Sequence, residues 1–147
     1  MSGDSCFVDS CFVDTNILLY ASDAAQGRKH QVAKLLVETL WRSKTGVIST
    51  QVLQEFCFNL RRKTRPRRSV AETRELVRDY LNWRIVTNLA VSTLAALEIE
   101  ARFQLSFCDS LILQAAQFAR CSVLYSEDLN HGQVFGSVRV VNPFLGE

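Results

Sequence analysis

Short apolar runs alternate with segments of helical periodicity along this chain of 147 residues. Residues 15–23 predict a short helical turn, and apolar positions spaced three or four apart predict longer helices. The predicted strands are 11–14, 45–49, 84–87, 122–126 and 137–144, and the predicted longer helices are 30–41, 50–63, 69–83, 92–103 and 107–120. Because strands and helices alternate, the pattern favours an α/β layer fold with a mostly parallel sheet covered on both faces.

Polar residues mark several of the predicted helix ends. Ser69 and Glu72 have the spacing of a capping box, and Ser92 is expected at the head of its helix. Pro66 should end the helix 50–63, since the residue before a proline resists the helical region. Residues 127–132 predict a turn or a short helix.

Composition limits the class of protein. An apolar content of 48% and a charged content of 22% are typical of one soluble globular domain. No window approaches 18 uninterrupted apolar residues, and the start lacks a basic segment that leads into an apolar one. Neither a membrane span nor a secretory signal is therefore predicted. The five cysteines form no CxxC pair and neither histidine has a zinc-finger spacing, which indicates free thiols in a reducing cytoplasm.

The net charge of +2 conceals one concentrated positive segment. The stretch "RRKTRPRR", residues 61–68, contains six of the 17 basic residues, which leaves 11 basic against 15 acidic residues elsewhere. Such a segment attracts a polyanion to one place, although a solvated basic turn is the simpler alternative. The candidate contacts are Arg61, Arg62, Lys63, Arg65, Arg67 and Arg68.

Acidic residues occur where α/β sheets bind ligands, just beyond the carboxyl ends of strands. Asp14 ends the first predicted strand, and Asp128 follows Glu127 just after the fourth. If these two strands are neighbours, both carboxylates lie at the same edge of the sheet. Glu55 and Asp109, which have many apolar neighbours in sequence, lie in helices that would reach the same edge.

Each of these acids also has a simpler explanation. Asp14 could cap the helix that follows it, and Asp109 could complete a capping box with Ser106. Asp128 could favour a helix N-terminus through the helix dipole. Glu55 lies on a polar helical stripe with residues 51 and 59, which is typical of a solvated face.

A cluster of carboxylates would favour a hard divalent cation. Left alone, such groups repel one another and partly protonate. Mg²⁺ prefers oxygen ligands, needs only one or two direct carboxylates and retains waters. A retained water of lowered pKa can attack a phosphodiester, while the cation neutralises charge on the phosphoryl oxygens. The lack of a site rich in histidine or cysteine argues against zinc.

Four blocks of the sequence resemble the PIN domain, most of all the VapC-type ribonuclease toxins of type II toxin–antitoxin systems. The blocks are "FVDTNILLYA" (12–21), "STQVLQEF" (49–56), "SFCDSLILQAA" (106–116) and "LYSEDLNHG" (124–132). The resemblance implies an α/β/α sandwich with a mostly parallel central sheet, formed by residues 10–147. It also implies an endoribonuclease that needs Mg²⁺ or Mn²⁺, a homodimer, and a cognate antitoxin whose tail blocks the site.

The resemblance assigns roles to particular residues. Four acids are expected to form the catalytic site: Asp14, Glu55, Asp109 and Asp128. The first and third are the expected direct metal ligands, and the second and fourth are expected to hold waters or a second metal. Three polar residues are expected to orient the carboxylates by hydrogen bonds: Thr15, Asn16 and Ser49.

Other functions would use the same features differently. A PIN nuclease for RNA maturation or quality control, or one that acts on DNA, would keep the four acids. A non-catalytic domain would bind nucleic acid through residues 61–68, with the acids as helix caps. In the toxin interpretation, this basic segment holds the phosphates that flank the cleaved bond of an RNA substrate, which adds affinity and salt dependence.

The pentapeptide "SCFVD" occurs at 5–9 and again at 10–14. A shift of five residues reverses the faces of a strand, so both copies cannot have the same role in one strand. Only Asp14 leads into "TNILLYA". Residues 1–9 are therefore predicted to be an N-terminal extension, with Asp9 outside the site. Removal of residues 2–9 should leave activity intact, and an inactive truncation would contradict this assignment.

Overall fold

The computed structural model describes residues 9–145, and in these residues it has one six-stranded sheet and six α-helices. The strands are β1 (Cys11–Val13), β2 (Gly46–Ser49), β3 (Arg84–Val86), β4 (Val123–Tyr125), β5 (Val134–Phe135) and β6 (Val138–Val141). The helices are α1 (Thr15–Ala21), α2 (Arg28–Ser43), α3 (Thr50–Leu60), α4 (Val70–Tyr80), α5 (Ala90–Phe103) and α6 (Phe107–Phe118). Of the predicted extension, residues 1–8 lie outside the described residues, and Asp9 is exposed.

The strand order in the sheet is β3-β2-β1-β4-β6-β5, and only the pairing of β5 with β6 is antiparallel. The first and fourth predicted strands are neighbours, since β1 pairs with β4 in parallel. Val13 lies opposite Tyr125 in this pairing. The next residues of the two strands, Asp14 and Ser126, therefore leave the sheet side by side.

Helices cover both faces of the central strands, as the apolar runs predicted. Every residue of β1 and of β2 is buried, which requires a layer on each side of the sheet. Phe12, Ile48 and Leu124 are fully buried in the sheet, and Phe56 and Leu113 are fully buried in the helices. Each such side chain contributes about 1.5–3 kcal/mol by leaving water. This buried core fixes the position of the strand ends, and the acids follow those ends.

Residues 127–132 form bends and turns, which is one of the two predicted alternatives. Two other details differ from the sequence predictions. α5 begins at Ala90, so Ser92 lies inside its first turn, where the hydroxyl accepts a hydrogen bond from the Leu89 amide at 3.0 Å. The short strand β5 was not predicted, and Gly136, with φ of 64°, turns the chain from β5 into β6. Within residues 9–145, no helix has the length and apolar character that crossing a membrane requires.

Candidate active site

Three carboxylates meet at the carboxyl edge of the sheet. Asp14 directly follows β1, Asp128 comes three residues after β4, and Asp109 lies in the first turn of α6. Each offers one oxygen, and these oxygens all lie within 4.8 Å of one another. They line a small cavity of about 140 Å³, which we call the acidic cavity, and Glu55 lines it too. The structure therefore brings together the four acids that the sequence singled out.

Asp14 is the most enclosed of these acids, with 6% of its surface exposed. Its Oδ1 accepts a hydrogen bond from the Thr15 amide at 2.7 Å, so the residue also caps α1. Its Oδ2 accepts one from the Ser126 hydroxyl at 2.9 Å. Burial raises the pKa of Asp14 to about 7, the charges of Asp128 and Asp109 add to the rise, and the two hydrogen bonds oppose it. The capping explanation is therefore confirmed for Asp14, and its role in a catalytic site stays a prediction.

Ser126 is a candidate site residue that the sequence analysis missed. Its hydroxyl donates to Asp14 and also accepts a hydrogen bond from the Asp128 amide at 3.1 Å. One side chain thus joins the segments that follow β1 and β4. In the sequence, Ser126 was marked only by its position at the end of a predicted strand. That position brings it to Asp14 because β1 pairs with β4.

Thr15 and Asn16 each make a hydrogen bond to one of the four acids. The Thr15 hydroxyl donates to Glu55 Oε1 at 2.7 Å, and Asn16 Nδ2 lies 3.3 Å from Asp128 Oδ2. Desolvation raises the pKa of Asp128, and the charges of Asp109, Glu127 and Glu55 raise it further. The simpler explanation of Asp128 as a charge at a helix N-terminus is wrong, because no helix begins there.

Glu55 is directed into the site and not into bulk solvent. Gln51 and Asn59, one helical turn away on either side, line the acidic cavity with it. Gln51 Nε2 donates to Glu55 Oε2 at 3.2 Å and to the Cys108 carbonyl at 3.3 Å, which ties α3 to the start of α6. The solvated-face explanation is therefore wrong. Glu55 is nevertheless outside the group of three carboxylates with closely spaced oxygens.

Two serines begin the helices that carry Glu55 and Asp109. The Ser49 hydroxyl accepts from the Val52 amide at 3.2 Å and caps α3. This contact serves the helix, and the role of Ser49 in orienting a carboxylate stays a prediction. Ser106 caps α6 by accepting from the Asp109 amide at 3.0 Å, which is one of the two hydrogen bonds of a capping box.

The basic segment 61–68 does not present all its charges on one side of the molecule. Lys63 lines a cavity of about 250 Å³ that shares Asn16 with the acidic cavity. Arg61 instead lines a separate groove against α4. The Arg68 guanidinium is half-buried and donates to the carbonyl of Ser22.

The remaining basic side chains of the segment are exposed. The Arg62 guanidinium lies 4.8 Å from the centre of the Phe58 ring, an attractive cation–π distance. Arg65 and Arg67 stand on the exposed turn that leads to α4. Only part of the predicted RNA-binding set therefore lies beside the acidic cavity.

The residues of the acidic cavity suit a hard divalent cation. Its polar lining in the described part of the chain consists of carboxylates, amides, a hydroxyl and the Cys108 thiol, with no lysine, arginine or histidine. The carboxylates therefore lack a basic partner in the cavity, and burial together with the neighbouring negative charges raises the pKa values of Asp14 and Asp128. Oxygen ligands of this kind fit Mg²⁺ or Mn²⁺.

The family profile of the PIN domain matches residues 11–134. The chain belongs to the PIN-domain family. The acidic cavity lies within the matched residues of this PIN domain, and the predicted fold class is confirmed. No curated protein sequence matched the chain.

Solved structures share the fold of this PIN domain. A toxin–antitoxin complex from Klebsiella pneumoniae has a chain with a TM-score of 0.67 and 20% identity, covering 92% of this chain and 98% of that one. VapC20 of Mycobacterium tuberculosis, a toxin that cleaves the sarcin-ricin loop, has a TM-score of 0.62 and 22% identity over 80% of this chain and 88% of its own. VapBC2 of Rickettsia felis, bound to a fragment of promoter DNA, has a TM-score of 0.56 and 20% identity over 79% of this chain and 86% of its own.

Proposed function

We propose that this PIN domain is a divalent-cation-dependent endoribonuclease and the toxin of a type II toxin–antitoxin pair. The observation that carries the proposal is the group of three carboxylates at the carboxyl edge of the sheet. The fold that the chain shares with a toxin–antitoxin complex and with an RNA-cleaving toxin supports it. When bound, the cation would activate water and neutralise charge on the phosphoryl oxygens.

The contacts of the four acids support different roles for them in binding the cation and in orienting water. Asp14 and Asp109 would hold Mg²⁺ or Mn²⁺ directly, and the short separation of Asp128 from both supports a direct place for it as well. Glu55 lies outside this group and is held by Thr15 and Gln51, which suits a carboxylate that orients a water. Ser126 keeps the Asp14 carboxylate aimed into the cavity.

Cleavage of mixed structured RNAs by the EDTA-treated protein tests this proposal. We expect no cleavage until Mg²⁺ or Mn²⁺ is added, and products with a 5′-phosphate and a 3′-hydroxyl. Tight RNA binding that EDTA does not disturb, without cleavage under any condition, would favour the non-catalytic binding domain. Preferential cleavage of DNA would favour the DNA-directed nuclease.

The toxin role can be separated from a role in RNA maturation or quality control. We expect production of the chain in a bacterium to arrest growth, and production of the Asp14→Asn variant to have no such effect. A small neighbouring gene for an antitoxin should restore growth when it is expressed with the chain. Unimpaired growth despite active nuclease in the cells would favour RNA maturation.

Lys63 is the basic residue best placed to hold RNA beside the acidic cavity. In an Asp109→Asn background that prevents cleavage, Lys63→Ala should weaken RNA binding and reduce the slope of log affinity against log salt by about 0.7, the value for one single-strand phosphate contact. Arg61→Ala is the matched control, because Arg61 faces the other groove. Equal loss of slope in both variants would show that the segment acts as a diffuse charge.

A homodimer through α5 is the proposed assembly. Val91, Leu94 and Leu97 are 64%, 64% and 47% exposed on this helix, and Phe118 of α6 is 69% exposed. Glu98 and Arg102, with opposite charges, line the groove that Phe118 also lines. If two copies pair with antiparallel α5 helices, Glu98 of each copy meets Arg102 of the other.

Light scattering should therefore give the mass of two chains, and Leu94→Glu should give one. Leu35→Glu is the matched control, because Leu35 is also 63% exposed but belongs to a different helix, α2. A monomeric wild-type chain at high concentration, or a dimer that survives Leu94→Glu, would contradict the assigned interface.

Two further proposals concern the limits and the location of the protein. Residues 10–147 are proposed to form a single nuclease domain, with the extension 1–9 dispensable for cleavage. The cysteines in the described residues are free thiols: Cys11, Cys57, Cys108 and Cys121. Free thiols suit the reducing cytoplasm, which is the proposed location.

A further inference from the structure

A further cavity adjoins the acidic cavity, between α1 and the turn that follows α3. It is the cavity of about 250 Å³ that Lys63 lines, and we call it the α1 cavity. Asn16 lines both cavities, and its amide lies 3.3 Å from the Asp128 carboxylate. A strand of RNA with a phosphate in the acidic cavity therefore passes next to the α1 cavity. The volume is just below that of pockets for drug-sized ligands, which suits a single nucleobase.

Asp23 is a buried carboxylate in the wall of this cavity, with 4% of its surface exposed. Its Oδ1 accepts a hydrogen bond from the Ala25 amide at 3.2 Å, and its Oδ2 accepts one from Gln26 Nε2 at 3.1 Å. Among residues 9–145, no cation forms an ion pair with it. A carboxylate has about four acceptor positions, so Asp23 keeps acceptor positions that these two hydrogen bonds do not use.

Capping alone is the simpler explanation of Asp23. The residue begins a short 3₁₀ helix, Ala24–Gln26, through its contact with the Ala25 amide. A cap needs only one oxygen, and serine, threonine or asparagine supplies it as well. Capping therefore does not explain a buried negative charge without a cation, since burial of a charge is costly unless the charge is paired. A ligand with two adjacent N–H donors would use the remaining acceptor positions.

Guanine is the base whose Watson–Crick edge matches this wall. It presents two donors, N1–H and the 2-amino group, beside the acceptor O6. Asp23 can accept from both donors, and the second hydrogen of the Gln26 amide can donate to O6. Adenine and cytosine turn the lone pair of a ring nitrogen towards the carboxylate, and uracil offers one donor between two acceptors. A site built to hydrogen-bond two donors disfavours each of these three bases.

We propose that the α1 cavity binds a guanine base of single-stranded RNA next to the cleaved bond, and that Asp23 selects this base. Leu19 and Tyr20 form the apolar wall of the cavity, and the exposed Lys63 holds the phosphate of the same nucleotide. Single-stranded RNA fits because its bases can be turned out of the stack and read on the Watson–Crick edge. The inference rests on the proposed function for the substrate, but Asp23 acts on base choice and not on the cleavage step.

Binding of short oligouridylates that contain one central guanosine, inosine or adenosine tests this selection without cleavage. The Asp109→Asn protein is used in the presence of Mg²⁺. We expect the guanosine oligonucleotide to bind about tenfold more tightly than the adenosine one, as a bidentate contact to a base edge does. Inosine lacks only the 2-amino group, so its oligonucleotide should have an intermediate affinity.

Asp23→Asn in the same background should remove the preference for guanosine over inosine. The asparagine keeps the oxygen that caps the 3₁₀ helix, but it turns an N–H group towards the 2-amino donor of guanine. Asp79→Asn is the matched control, because Asp79 is exposed on α4 and does not line the α1 cavity. It should keep the full preference. Circular dichroism should show that both variants are folded.

Sequencing of the ends that the wild type produces from random single-stranded RNA gives the position of the base. Guanine should be enriched at one position that flanks the cleaved bond, and Asp23→Asn should lose this enrichment. Equal binding of the three oligonucleotides, a guanosine preference that Asp23→Asn retains, or cleavage without guanine enrichment would overturn the proposal. A wild type that cleaves no RNA, together with guanosine-selective binding through Asp23, would contradict the proposed nuclease but support the guanine site.

Discussion

Asp14→Asn should abolish RNA cleavage, whereas Asp9→Asn should leave it unchanged. The two aspartates end identical pentapeptides, yet Asp14 lies in the group of three carboxylates and Asp9 is exposed before β1. Loss of a residue that only orients a metal ligand costs about 10–100-fold in activity, so loss of a direct ligand should cost more than about 100-fold. The rate of cleavage of one structured RNA at saturating Mg²⁺ or Mn²⁺ measures the effect.

Asp109→Asn should be as inactive as Asp14→Asn, because its carboxylate completes the same group. Circular dichroism should show that both variants are folded. A loss of activity on Asp9→Asn with Asp14→Asn still active would mean that the first copy of the pentapeptide occupies the strand. Normal cleavage by all three variants would show that the acidic cavity is not the catalytic site.

Asp14→Asn should also change how the free energy of unfolding of the metal-free protein depends on pH. The pKa of Asp14 is about 7 in the folded chain and 3.8 as its ordinary value. The folded state therefore binds the proton more tightly, so this residue's contribution to stability is complete below pH 3.8. That contribution is lost as the pH rises through about 7, by at most about 4 kcal/mol. Asp14→Asn cannot titrate and should not show this loss.

Urea denaturation in EDTA at pH 5 and pH 8 measures the difference. Wild type should lose stability between these values relative to Asp14→Asn, and Asp9→Asn should behave as the wild type. Addition of Mg²⁺ or Mn²⁺ at pH 8 should restore stability to the wild type but not to Asp14→Asn, because a ligand that binds only the folded state stabilises it. Parallel pH profiles of wild type and Asp14→Asn would contradict the raised pKa of Asp14.

The acids were predictable because their positions follow from local rules. Asp14 and Asp128 come just after apolar strands, and parallel strands end at one edge of a sheet. Asp109 was predictable from its helix start. Ser126 was not, because its hydrogen-bond partner Asp14 lies 112 residues earlier and only the strand pairing brings them together.

The directions of the basic side chains in residues 61–68 could not be predicted from the sequence. Six of these eight residues are basic, and the sequence alone suggests a single positive surface. The chain turns sharply after α3, so neighbouring cations face in different directions. Lys63 lies towards Asn16, Arg61 faces α4, and Arg68 is engaged with a backbone carbonyl. Side-chain direction at a turn depends on tertiary contacts, which the sequence pattern does not contain.

The pairing of β1 with β4 has a consequence for the order of events during protein synthesis. Asp14 is synthesised more than 110 residues before Ser126 and Asp128. β4 also takes its place in the sheet between β1 and the still later strand β6. The three carboxylates can therefore converge only after the segment from β1 to Asp128 has been synthesised. The acidic cavity stays unassembled while the ribosome is still translating that segment.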